Sequence, residues 1–372
     1  MKSLKIAFFF SSDPAKTGGV QEHILFLSKE LKARGHTVDI YGPESKSNYF
    51  ENYTSIGNII DVPVINGNVS NILLLDPQLD LKKIFLNKKY DIIHLHEPYK
   101  PFAFWGLVKI LNAPFVNTFH TAWDNSSIIN SLNGVIPFFK DLFSKYADGA
   151  IFVSKIAQTR WESLCGPLVK QRIIYNSVDT HIFTAKKGVN SPPHLLYVAR
   201  LVQRKGIFQL LKAIKILKEK GLEFVLTIMG DGTERDKMIQ LIEEYHIAKY
   251  VHYVGEIKGK KRAIYYKNAD IFCAPYRDEA GPLAILEAIS AGLPIVGFSN
   301  ELFKETLKDY PNKNLLVNPN SVEDLAKALQ FLITHPDEIL RIKAWCLEKK
   351  KTFSWQTIAQ QTEELYFELI KK

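Results

Sequence analysis

With 372 residues, 46% of them apolar and 23% charged, the chain has the length of about two globular domains and too many aromatics for a disordered one. Its 48 basic and 39 acidic side chains leave a formal charge of +9, which favours anionic partners without choosing among nucleotides, phosphates, acidic lipid surfaces and nucleic acid. Three widely spaced cysteines (Cys165, Cys273, Cys346) exclude a disulfide framework and point to a reducing cytosol.

The apolar run 6–10 is too short for a signal-peptide core and reads as a buried strand. No apolar stretch approaches the roughly 18 residues that a membrane span requires. In 20–34, Val20, Ile24, Leu27 and Leu31 share one helical face; Gly35-His36 stops that helix, and 37–41 is the next strand. Residues 91–96, 115–119 and 149–153 are further short strands. Within 176–193, Gly188 and Pro192-Pro193 mark a connection, after which the grammar restarts. Strands are expected at 194–199, 224–229, 251–254, 271–274 and 294–297, and helices at 206–220, 233–246, 262–268, 283–291 and 322–335. This alternation predicts an α/β protein of two doubly wound parallel-sheet domains in series, with ligands at the carboxyl ends of the strands and a cleft between the domains. A last helix at 357–370 either closes the second domain or returns to the first.

Three strand-to-helix turns carry candidate chemistry. In Gly18-Gly19-Val20-Gln21-Glu22-His23, glycine lets backbone amides approach a ligand, and a helix start attracts anions; a plain tight turn reads equally well. Neither a Walker loop nor GxGxxG is present. In the loop from Arg200 to Lys205, two cations offer a diphosphate clamp, against the commoner fate of a solvated basic loop. In 278–287, the amides of Leu283 and Ala284 point back toward a phosphate, Glu287 suits ribose hydroxyls and Glu279 a sugar; helix capping explains the same glutamates.

Together these pieces resemble the retaining GT-B glycosyltransferases of family four. The resemblance is carried by Glu279-x7-Glu287 with the following 288–297, by Arg200 with Lys205, by Gly230-Asp231-Gly232, by Tyr266-x-x-Ala269-Asp270 and by Asn176-Ser177-Val178-Asp179. The amino half, with Gly18-Gly19-Val20-Gln21-x-His23, His96-Glu97-Pro98 and Thr118-Phe119-His120-Thr121, is similar to the phosphatidylinositol mannosyltransferases of that family. The resemblance implies two Rossmann-like domains, 1–175 for the acceptor and 176–354 for the nucleotide sugar, with the helix 355–372 joined to the first. It implies that His120, Glu279, Arg200 and Lys205 act in catalysis. Gly19, Gly230, Gly281, Leu283, Ala284 and Glu287 would bind the donor, and Gln21 and Thr121 the acceptor. Gly281-Pro282 stands where the family commonly has Phe-Gly, and Ser177 where it has Gly.

The implied reaction moves a hexose, mannose or glucose, from GDP-mannose or a UDP-hexose to a hydroxyl of a membrane lipid or glycolipid. The alternatives are a soluble polysaccharide or cell-envelope glycan transferase, a nucleotide-sugar epimerase on the same plan, and a non-enzymatic basic binder. No Asp-x-Asp is present, so no metal or other cofactor is expected to be required, with Mg2+ at most a stimulant. His94 and His96 share a strand face with His120 elsewhere in the domain, but no ligand spacing supports a zinc site. In 79–89, Leu81, Ile84 and Phe85 line one helical face while Lys82, Lys83, Lys88 and Lys89 are polar. Taken alone this is a surface helix; the resemblance tips it toward contact with an anionic membrane surface, on the cytoplasmic side. No nucleic-acid motif is found, and no nucleic-acid partner is expected.

Overall fold

The computed structural model describes residues 2–15, 19–45, 50–64, 68–80, 84–85, 88–97, 112–120, 145–167, 170–277 and 283–371. The chain divides into two compact units, Met1–Asn176 with Trp355–Lys372, and Ser177–Ser354.

The first unit is built on a seven-stranded sheet in the order β3-β2-β1-β6-β7-β8-β9, with every pairing parallel. Its strands are β1 (Lys5–Phe9), β2 (Thr37–Gly42), β3 (Tyr53–Ser55), β6 (Ile92–His96), β7 (Phe115–Phe119), β8 (Gly149–Phe152) and β9 (Gln171–Ile173). Side chains alternate across a strand, so both faces of such a sheet need cover. Ile6, Phe8 and Phe10 pack with Ile24, Leu27 and Leu31 of helix α1 (Gly19–Ala33), while Ala7 and Phe9 join Tyr41, Ile93, Leu95 and Phe115 on the other face.

The last helix, Trp355–Ile370, completes this unit rather than the second one: Trp355, Ile358, Leu365, Tyr366 and Leu369 enter the α1 core. Its Glu363 is buried, accepts from Arg34 and lies 2.7 Å from His36 Nε2. The Leu4 amide donates to His36 Nδ1 at 3.0 Å, so that nitrogen carries no proton and Nε2 is the donor to Glu363.

An antiparallel hairpin, β4 (Gly57–Val64) and β5 (Asn68–Leu75), was not among the expected elements. Pro63 inside its first strand hides it from strand patterning. The segment 79–89 is described at 79–80, 84–85 and 88–89. Phe85 is buried, 5.0 Å from the Tyr41 ring and 5.8 Å from Phe9, so it serves the core. Lys88 Nζ donates to Tyr41 Oη at 2.8 Å and reaches Asp39 at 3.5 Å, with its side chain partly exposed. Lys89 is exposed, and Lys82 and Lys83 lie outside the described residues. Among the described residues, no helix is long and apolar enough to cross a membrane.

The second unit holds a six-stranded parallel sheet in the order β12-β11-β10-β13-β14-β15. Its strands are β10 (His194–Val198), β11 (Val225–Met229), β12 (Val251–Tyr253), β13 (Ile271–Ala274), β14 (Ile295–Phe298) and β15 (Leu316–Val317). In each sheet the chain winds outward from one strand, then restarts on that strand's other side: β1 next to β6, and β10 next to β13. The carboxyl ends at those reversals are where an open α/β sheet leaves a ligand crevice. Buried Asp270, just before β13, pairs with Lys186 at 2.7 Å and accepts from the His194 and Asn190 amides at 2.8 and 3.2 Å. That places the Tyr266-x-x-Ala269-Asp270 pattern in support of the entry to β10.

Candidate active site

At the carboxyl edge of the second sheet, two loops are laced together by backbone. The Ala199 amide donates to Met229 O at 3.1 Å, Leu201 to Asp231 O at 2.9 Å, and Glu234 to Leu201 O at 3.0 Å. The contact is too close for side chains: a Cβ on Gly230 would stand 1.9 Å from Ala199 O, and its φ of +136° lies where L-residues are strained. Gly206 has φ +69° and would put a Cβ 2.0 Å from Pro275 O. These glycines thus fix the loop that carries Arg200 and Lys205. Arg200 is exposed, and Lys205 Nζ stands 4.6 Å over the ring of buried Tyr276. Tyr276 in turn donates to Val198 O at 2.7 Å, and Tyr197 donates to Lys205 O at 3.1 Å.

Next to this edge begins the helix Leu283–Ser290, so Leu283 and Ala284 occupy its first turn. Glu287 is buried and pairs with Arg262, 2.6 Å away. Burial, then the adjacent Glu287 carboxylate, pushes the Tyr266 hydroxyl well above its ordinary pKa. The expected ribose ligand therefore already has a cationic partner. Glu279 and Gly281 lie outside the described residues.

The edge of the first sheet has a different chemistry. Period two puts Ile92, His94 and His96 of β6, and Val116, Thr118 and the following His120, on the face covered by α1 and the last helix. His23 comes from the buried face of α1, three residues after Val20 and four before Leu27. His94 bridges Tyr366 Oη at 2.5 Å and Thr118 Oγ1 at 2.6 Å. His96 Nδ1 lies 3.2 Å from His120 Nε2, and His23 Nδ1 lies 3.1 Å from Asn176 Oδ1. Burial pushes His23 down to about 4, against the opposing hydrogen bond from Asn176. Burial, then neighbouring imidazoles, holds His94 and His96 well below the usual histidine value. The imidazoles of His23, His94 and His96 are therefore neutral at neutral pH.

Glu97, beside this cluster, is buried with φ +59° and accepts from Ser12 Oγ at 2.5 Å. Gly19 is the first residue of α1, and Gln21 Nε2 donates to Asp13 O at 3.0 Å. Thr121 lies outside the described residues. The first unit thus groups His120 with His96 and His23, and the second groups Arg200, Lys205, Gly230 and the start of the 283–290 helix. Sequence reasoning named neither Arg262 nor Asn176 as a site residue and gave His23 no role. For His23 the available signal was a polar residue on an apolar helical face; Arg262 and Asn176 are linked to their partners only by the tertiary fold.

Two parallel-sheet α/β units of this kind, each with polar groups at a switch-point edge, are the architecture of a GT-B fold. Residues 17–182 match the Glycosyltransferase Family 4 model and residues 180–344 the model described as Glycosyl transferases group 1. With a domain of each kind, the chain is a glycosyltransferase. It is 28% identical over 362 residues to the phosphatidyl-myo-inositol mannosyltransferase of Mycobacterium leprae, covering 94% of this chain and 92% of that one. It is 24% identical over 385 residues to a glycogen synthase of Mycobacterium tuberculosis, covering 95% and 92%. Among solved structures it resembles Anabaena HepE in complex with UDP and glucose, with a TM-score of 0.72, 17% identity and coverage of 97% and 98%.

Proposed function

We propose that the chain is a retaining hexosyltransferase that moves mannose or glucose from a nucleotide diphosphate sugar to a hydroxyl of a membrane lipid or glycolipid. The observation that carries the donor assignment is the glycine-laced loop at the β10 edge, where Arg200 and Lys205 rise beside a helix start. As the anomeric carbon–oxygen bond breaks, its electron pair goes to the departing diphosphate. Arg200, Lys205 and the Leu283 and Ala284 amides stabilise that charge. The acceptor oxygen bonds to the anomeric carbon on the same face, and its proton passes to a phosphate oxygen of the leaving group. Glu279 binds the donor sugar, and Glu287, steadied by Arg262, faces the ribose. His120 supports the donor sugar from the first unit, where Gln21 and Thr121 serve the acceptor. This chemistry calls for no bound metal, with Mg2+ at most stimulating.

Support for a lipid acceptor comes from the mannosyltransferase relative, which aligns over 94% of this chain. The glycogen synthase relative aligns as fully and keeps a soluble glycan acceptor as the second reading. Labelled GDP-mannose and UDP-hexoses, each offered phosphatidylinositol vesicles, soluble glucans or no acceptor, separate these readings. Label appearing in the lipid fraction supports the proposal. Label in glucan alone overturns the acceptor assignment, and conversion of the sugar without acceptor indicates epimerisation. Flotation with anionic vesicles at low salt tests membrane contact through Lys82, Lys83, Lys88 and Lys89, which is expected to be weak and reversible.

A further inference from the structure

We propose that His23, His96 and His120 form a three-imidazole site for a divalent transition-metal ion, zinc foremost, and that its occupation inhibits transfer. The three histidines come from different elements, α1, the end of β6 and the residue after β7, and all are buried. One ligand nitrogen of each lies within 4.8 Å of the others. The 3.2 Å between His96 Nδ1 and His120 Nε2 is close to the roughly 3.3 Å edge of a tetrahedron with bonds of about 2.0–2.1 Å to zinc.

One ligand has the hydrogen-bonded support of an outer coordination shell, and packing holds the rings. Asn176 presents its amide oxygen to His23 Nδ1, so that nitrogen carries the proton and Nε2 keeps the lone pair a metal needs. Phe8 packs edge-on against His96 at 4.9 Å, and Trp355 against His23 at 5.4 Å, which limits ring rotation. His94 is excluded as a fourth ligand because both its nitrogens are engaged by Tyr366 and Thr118. Three protein ligands leave one position for water or an anion. An all-imidazole set suits zinc, cobalt, nickel or copper and not magnesium or calcium. The inhibitory half rests on the reading that His120 meets the donor, because a metal-bound His120 has lost the lone pair and freedom that role uses.

Cobalt(II) tests the site independently of activity. The metal-free full chain is titrated with Co2+ and followed by visible absorption, then back-titrated with Zn2+. The expected result is one equivalent of intense tetrahedral-type absorption, displaced by one equivalent of zinc. His23→Gln and His96→Gln, checked for native circular dichroism, should each weaken cobalt binding about tenfold or more, whereas His252→Gln at an exposed position should not. Zinc should also inhibit labelled-hexose transfer reversibly by chelation. Absence of the tetrahedral spectrum in the wild-type chain, or binding unchanged in both folded variants, overturns the site. Stoichiometric zinc binding that leaves transfer intact overturns the inhibitory half. If no transfer is found with any donor, the cobalt titration still decides whether the site exists.

Discussion

The two sheets share a topology and differ in what they place at the carboxyl edge. The seven-stranded sheet ends in neutral, buried histidines wired to Asn176, Thr118 and Tyr366. The six-stranded sheet ends in Arg200 and Lys205 on a loop that glycines clamp against Ala199 and Pro275. A switch point decides where a ligand lies, whereas the side chains decide which ligand it is. A cationic edge suits a group whose negative charge grows during reaction, and a neutral edge suits positioning of uncharged hydroxyls.

The sharpest way to break this contrast is to remove one group from each edge. Arg200→Ala should cut transfer by about 10²–10³-fold and weaken nucleoside diphosphate binding with it. His120→Ala should lower transfer by about 10²-fold while nucleoside diphosphate affinity stays close to that of the wild type. Steady-state kinetics paired with calorimetry reads both, and an equal loss of diphosphate binding in the two variants would erase the distinction.

Acid should separate the units next. A base whose folded pKa is depressed leaves the unfolded chain to take up the proton first, so its contribution to stability falls as pH drops below the unfolded value. For His23 that window runs from 6.5 down to about 4. This one histidine is worth on the order of 3 kcal/mol across the window, with His94 and His96 acting in the same direction. Hydrogen exchange at pH 5 should show the 1–176 unit opening before the 177–354 unit.

Gly230→Ala tests the clamp at the other edge: its Cβ has no room, and a loss of about 2 kcal/mol with a displaced Arg200 loop is expected in thermal unfolding and donor binding. Glu363→Gln gives the smallest effect, about 1 kcal/mol at neutral pH. Burial alone would raise that carboxyl's pKa, but Arg34 and His36 outweigh it and hold it below 4.5. Its stabilisation is present above 4.5 and fades as pH falls through the lowered folded value, so wild type and variant should converge in acid denaturation curves.

Much of the architecture is legible in local pattern. The spacing of Val20, Ile24, Leu27 and Leu31 marks the buried face of α1, and the restart of strand-helix alternation after Pro193 marks the second sheet. What local pattern does not carry is partnership across distance. Nothing near Lys88 announces Tyr41 and Asp39, and nothing near Glu287 announces Arg262, some 25 residues earlier. The hairpin at 57–75 is masked by Pro63, and the last helix finds its partners in residues more than 300 positions away, at Arg34 and His36. His23 belongs with His96 and His120 because two strands end where α1 begins, a fact of topology and not of spacing.

The most direct test of the account is titration calorimetry of a nucleotide diphosphate hexose into the wild-type chain and into the Arg200→Ala, Lys205→Ala double variant. A saturable one-to-one isotherm in the wild type, lost in a double variant that keeps its native melting transition, is the predicted result. Equal affinity in both chains would contradict it, because the sugar nucleotide would then be held by something other than the cationic loop at the edge of the six-stranded sheet.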